Sequence, residues 1–146
     1  MELKPLETRQ LILNNLSDKS GMKQLVYDNT FATFNLIKEV LHEMASDYNS
    51  AFKGVDKRVK LEYHDRGKFE AEIRVAGDIL IFSMHSNVFQ FDRDHNIWKL
   101  SYVKDSKNAS YCGIINIYNF LRYSFKYNRL DDLGYLIGRV FINKDY

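Results

Sequence analysis

The stretch from Lys68 to His85 constrains the fold most, because its pattern is that of a β-hairpin. Apolar and charged side chains alternate along its first half, and this period of two is typical of a strand with one buried face. The apolar positions are Phe69, Ala71, Ile73 and Val75. Gly77-Asp78 follows and suits a two-residue turn that begins with glycine. The stretch therefore predicts two antiparallel strands.

A turn at Gly77-Asp78 also predicts the register of the two strands. The apolar pairs across the hairpin would be Val75 with Leu80, Ile73 with Phe82, and Ala71 with Met84. A slip of one residue would move one strand's apolar set to the other face, so the faces are well specified. On the polar face, the same register places Glu70 opposite His85.

Helical spacing dominates before the hairpin. Residues 5–16 predict a short helix, residues 17–21 contain capping residues and predict a break, and residues 22–52 predict a much longer helix. The apolar stripe of the long helix consists of Met22, Leu25, Val26, Phe34, Ile37, Leu41, Met44, Tyr48 and Phe52. A rod of roughly 45 Å follows from the rise per residue. We expect it to bend near Asn29-Thr30 or to pack against a second copy of the chain.

The sheet is expected to begin near Arg58 and to continue past the hairpin. A turn or bulge is predicted at Ser86-Asn87, and a further strand over residues 97–103. Residues 110–127 repeat apolar side chains every three to four positions and predict a helix, and residues 135–143 predict a last strand. The partner of that strand is expected from outside this chain or from another subunit.

The predicted fold class is α+β, with an antiparallel β-meander of four to six strands packed on the long N-terminal amphipathic helix and a later helix. With 146 residues, the chain is expected to be a single domain. Its parts would be a helical region at 5–52, a sheet at 58–103, and a helix with a terminal strand at 110–143.

Composition narrows the class of protein further. Hydrophobic residues make up 45% of the chain and charged residues 27%, which is typical of a globular protein. No apolar run is long enough to span a membrane, and no secretory signal is recognisable, so a cytoplasmic protein is expected. A single cysteine, Cys112, argues against disulfides and against a zinc site built from cysteines. The net charge of +2 leans against nucleic-acid binding.

Two groups of residues are candidates for a site. His85 and Glu70 would form a cross-strand pair that could support acid–base chemistry, although such pairs are also ordinary sheet stabilisers. The second group alternates cations with aromatic rings and could stack and neutralise single-stranded nucleic acid. It consists of Arg122, Tyr123, Lys126, Tyr127 and Arg129. Asp92, Asp94 and His95 lack the spacing of a calcium or zinc site, so no metal is expected.

The functional expectation rests on the long helix, on the 21 aromatic residues, and on the absence of a catalytic motif. We expect a non-enzymatic binding or assembly module that forms a homo-oligomer, with a protein partner as a further option and no cofactor. One alternative is a small-ligand pocket or an enzyme that uses His85 and Glu70. Another is single-stranded nucleic-acid binding through residues 122–129.

Overall fold

The computed structural model describes residues 5–51, 60–105, 107–121 and 134–145. One long helix, α1 (Pro5–Ala51), precedes an antiparallel sheet, and short helical turns interrupt the chain between the fourth and fifth strands. This is the α+β class that the sequence predicts. The strands are β1 (Leu61–Asp65), β2 (Glu70–Val75), β3 (Asp78–Met84), β4 (Phe89–Gln90), β5 (Tyr111–Leu121) and β6 (Tyr135–Ile142). A short α-helix, α2 (Ser101–Asp105), lies between 3-10 turns at Asn96–Lys99 and Lys107–Ser110.

All strand pairs among the described residues are antiparallel. The order β1-β2-β3-β5 forms the main path, and β4 and β6 also pair with β5. The Ile114 carbonyl accepts the His85 N–H at 2.9 Å, and the Ser110 carbonyl accepts the Phe91 N–H at 3.0 Å. Carbonyls four residues apart on a strand point to the same edge, so β4 continues along β5 where β3 ends.

The predicted register of the hairpin is wrong by two residues. The reversal occurs at Ala76-Gly77, and Val75 pairs with Asp78 rather than with Leu80. Ala76 takes the left-handed conformation, with φ of 50°, that was expected of a glycine. A shift of two residues preserves which side chains share a face, so Ala71, Ile73 and Phe82 still lie on the same side of the sheet.

Helix α1 continues through residues 17–21, where a break was predicted. Its 47 residues give a length of about 70 Å at 1.5 Å per residue. Once the turns around Val26 and Phe34 are held against the sheet, extending the helix towards Pro5 needs no new nucleation. The capping residues Ser17, Asp18 and Ser20 therefore do not end it.

Two further predictions fail between residues 97 and 127. Residues 97–103 form the 3-10 turn and part of α2 rather than a strand, since the Trp98 indole N–H donates to the Asp92 carbonyl at 2.8 Å and ties this segment down. Tyr111–Leu121 is strand β5 rather than a helix, with β3 on one edge and β6 on the other. The last predicted strand, 135–143, is confirmed as β6.

The core lies between α1 and one face of the sheet. Phe34 from the helix meets side chains from four strands, all of them almost fully buried: Ala71, Met84, Ile115 and Ile142. Half-buried rings and aliphatic chains surround this cluster: Tyr27, Phe31, Ile37, Tyr63, Phe69 and Phe82. Burial of this apolar surface holds the helix against the sheet.

Candidate functional site

The structure does not bring Glu70 and His85 together. Glu70 pairs across the hairpin with Ser83, and His85 lies one residue beyond β3. The His85 side chain is exposed, and its ring meets Phe89 edge to face at a centroid distance of 4.6 Å. Its Nδ1 atom accepts the Asn87 N–H at 3.1 Å. The opposition on which the proposed acid–base pair depended is thus absent.

The second predicted group cannot be placed. Arg122, Tyr123, Lys126, Tyr127 and Arg129 all lie outside the described residues. The structure therefore gives no geometry for a surface that could stack nucleobases.

A groove of about 290 Å³ lies between the end of α1 and β1. Its lining includes His42, whose ring is 5.4 Å from that of Tyr63, and His64, whose Nε2 lies 3.3 Å from Oε2 of Glu62. Asn49 closes one side by bonding both the N–H and the carbonyl of Leu61. Within the described residues, no three potential metal ligands cluster. The groove contains histidines and a carboxylate but no nucleophile placed beside a base.

A buried carboxylate lies on the sheet face opposite α1. Glu72 is only 2% exposed, and its two oxygens accept from Arg66 Nη1 at 2.8 Å and Arg74 Nε at 2.7 Å. Burial raises the pKa of Glu72, but the two guanidinium hydrogen bonds outweigh burial and hold that pKa below its ordinary value. Both oxygens are occupied by cations, so this cluster stabilises the sheet and offers no free base.

Cys112 is a buried thiol in β5. Its side chain is 2% exposed, and burial raises its pKa to about 11. The nucleophilic form of cysteine is the thiolate, which is a minor species at neutral pH here. The sequence-based expectation of a small buried residue agrees with this position.

The most unusual surface is the N-terminal end of α1. We call residues 5–21 the arm, and every one of its side chains is exposed. Four large apolar side chains lie on one side of the arm and form what we call the arm stripe: Leu6, Ile12, Leu13 and Leu16, with exposures of 51–79%. These four residues are the largest continuous apolar feature of the arm.

The arm stripe continues the buried face of α1. Ile12, Leu13 and Leu16 each precede by 18 residues, or five turns at 3.6 residues per turn, a residue that faces the sheet. The matching residues are Thr30, Phe31 and Phe34, of which Thr30 and Phe34 are 1% and 0% exposed. The same helix face is therefore covered by the sheet in one half of α1 and bare in the arm. Leu11, with an exposure of 50%, lies 200° around the helix from Leu13.

Strand β6 carries the other exposed apolar side chains near an edge. It pairs with β5 on one side, and its other edge has no strand partner in the part of the chain that the structure describes. Ile137 is bulged, since Gly138 pairs with Ile117 while Leu136 pairs with Tyr118. A bulge and a charged residue, here Arg139, are the usual protection of an edge strand against further pairing.

No protein-family model, curated protein or solved structure matches the chain. The arm stripe therefore has to be interpreted from its own physical chemistry. Among the described residues, no helix combines the length and the apolar character needed to cross a bilayer.

Proposed function

We propose that this protein is a non-enzymatic assembly module that forms a homodimer through the arm stripe. The observation that carries the proposal is the continuity between the arm stripe and the buried face of α1. Leu13 and Leu16 repeat the positions of Phe31 and Phe34 but have no sheet beneath them. Two copies can cover both stripes at once.

The helical state of the arm supports a partner. Isolated helices of about 12–15 residues or fewer are marginal in water, and the arm has only 17 residues without any tertiary burial. Its sequence includes Asn14, Asn15 and Gly21, which are poor helix formers. Fully burying one leucine or isoleucine contributes about 1.5–3 kcal/mol, so covering four half-exposed chains would stabilise the arm by several kcal/mol.

The total surface is also large for a monomer. The accessible surface is 10,816 Å², whereas a compact protein of 17.3 kDa exposes about 7,800 Å² by the usual scaling with mass. The excess of roughly 3,000 Å² exceeds the ~800 Å² per partner that a standard interface buries. The area available is sufficient for a stable dimer.

A matched pair of variants tests the proposal. Leu13→Glu places a charge in the arm stripe, and Leu11→Glu places the same charge on the opposite side of the arm at nearly equal exposure. Light scattering at about 100 μM, well above a micromolar Kd, should give a dimer for the wild-type chain and for Leu11→Glu, and a monomer for Leu13→Glu. Equal masses for the two variants would overturn the proposal, and so would a monomeric wild-type chain.

A further inference from the structure

We infer that the two arms pair antiparallel, with Leu13 of one copy against Leu13 of the other. This inference rests on the proposed function and specifies its interface. It starts from the order of charges along the arm: Glu7 and Arg9 lie before Leu13, and Asp18 and Lys19 lie after it. The two halves of the arm carry opposite signs in mirrored order.

Antiparallel pairing about Leu13 makes these charges complementary. Residues whose numbers sum to 26 lie opposite each other, so Glu7 meets Lys19 of the second copy (7 + 19 = 26). Arg9 and Asp18 sum to 27 and lie within one residue of opposition. Parallel pairing in register would instead place each charge beside its own copy, and like charges at an interface are repulsive. Charge therefore favours one orientation.

The apolar side chains fit the same register. Leu6 comes opposite Ser20 of the second copy, beside Gly21, so a large side chain meets small ones. A Cβ atom built on Gly21 has no atom within 4 Å, so this turn of the helix has open space for an incoming leucine. Glycine inside a helix costs about 1 kcal/mol relative to alanine, and close approach of a second helix gives it a use.

Cysteine pairs separate the two orientations. Leu13→Cys should cross-link to itself on mild oxidation, whereas Leu11→Cys, on the opposite side of the arm, should not. An equal mixture of Leu6→Cys and Ser20→Cys chains should give a mixed disulfide dimer, and Leu6→Cys alone should give none. The native Cys112 is buried and should not interfere.

A charge reversal measures the predicted contact independently. Lys19→Glu should weaken dimerisation about tenfold, because it places two repulsive pairs in the symmetric interface, and Glu7→Lys in the same chain should restore most of the loss. Self-cross-linking of Leu6→Cys would overturn the antiparallel register, as would an intact dimer in which no arm cysteine cross-links. Absence of a wild-type dimer would instead remove the proposed function itself, so the two failures are distinguishable.

Discussion

The backbone of Gly113 in β5 lies directly against the side chain of Thr30 in α1. A Cβ atom on Gly113 would overlap the Oγ1 and Cγ2 atoms of Thr30. Thr30 is 1% exposed, and its hydroxyl donates to the Val26 carbonyl at 2.7 Å, so it has little freedom to move away. The absence of a side chain at Gly113 therefore allows the helix to approach the central strand of the sheet.

Gly113→Ala should consequently lower the free energy of unfolding by about 1–3 kcal/mol, the usual cost of overpacking a core. The measurement is urea unfolding followed by circular dichroism. Gly77→Ala is the control, because a Cβ there meets no atom within 4 Å, and it should change stability by about 0.5 kcal/mol or less. A similar loss in both variants would contradict the close contact between α1 and β5.

Ala76→Gly should stabilise the hairpin. Ala76 holds φ of 50° in the turn between β2 and β3, a region that costs an L-residue about 1–2 kcal/mol and glycine almost nothing. After the larger chain entropy of glycine is subtracted, a gain of up to about 1 kcal/mol is expected in thermal or urea unfolding. Ala32→Gly, on the exposed side of α1, should lose about 1 kcal/mol instead. A loss of stability in both variants would count against the left-handed turn.

Glu72 should make stability depend on pH. Its pKa in the folded state is lower than the ordinary value of 4.5, so its stabilisation is complete above that value and is lost as the pH falls through the folded-state pKa. Glu72→Gln should cost about 1.5–3 kcal/mol at pH 7 and much less near pH 3, as measured by urea unfolding. Glu70→Gln, which alters only the half-exposed contact with Arg66 at 3.4 Å, should cost under about 1 kcal/mol. An effect of Glu72→Gln that is equal at both pH values would refute the ion-pair account.

Cys112 should react only when the fold opens. Because burial raises its pKa to about 11, a disulfide reagent at pH 8 should label the native chain slowly and the urea-unfolded chain at the rate of a free thiol. The rate of labelling, followed by absorbance, should rise with the fraction of unfolded protein. Rapid labelling without denaturant would show that the start of β5 is accessible.

Much of the fold could be predicted because side-chain period survives in strands with one buried face. The faces of β2 and β3 were correct, but their register was not, since a two-residue shift leaves the same residues on each face and only the turn distinguishes the alternatives. The turn was misplaced because Ala76, rather than glycine, takes the positive φ. Local preference gave way to tertiary packing at that position.

Strand β5 was mistaken for a helix for a related reason. It has neighbouring strands on both edges, and its isoleucine and tyrosine positions, such as Ile114 and Tyr118, happen to follow a spacing of three to four. The arm stripe could be recognised as apolar from the sequence, but its exposure depends on how far the sheet extends beneath α1. That distance is set by the tertiary structure, so the candidate interface became visible only with the fold.

The most direct test of the account is the mass of the full wild-type chain by sedimentation equilibrium over a range of concentrations. The account predicts a reversible equilibrium that approaches twice 17.3 kDa as the concentration rises to about 100 μM. The two arm stripes would then cover each other. A mass that stays at 17.3 kDa across the whole range would contradict it, because the arm would then be helical with its apolar side exposed to water.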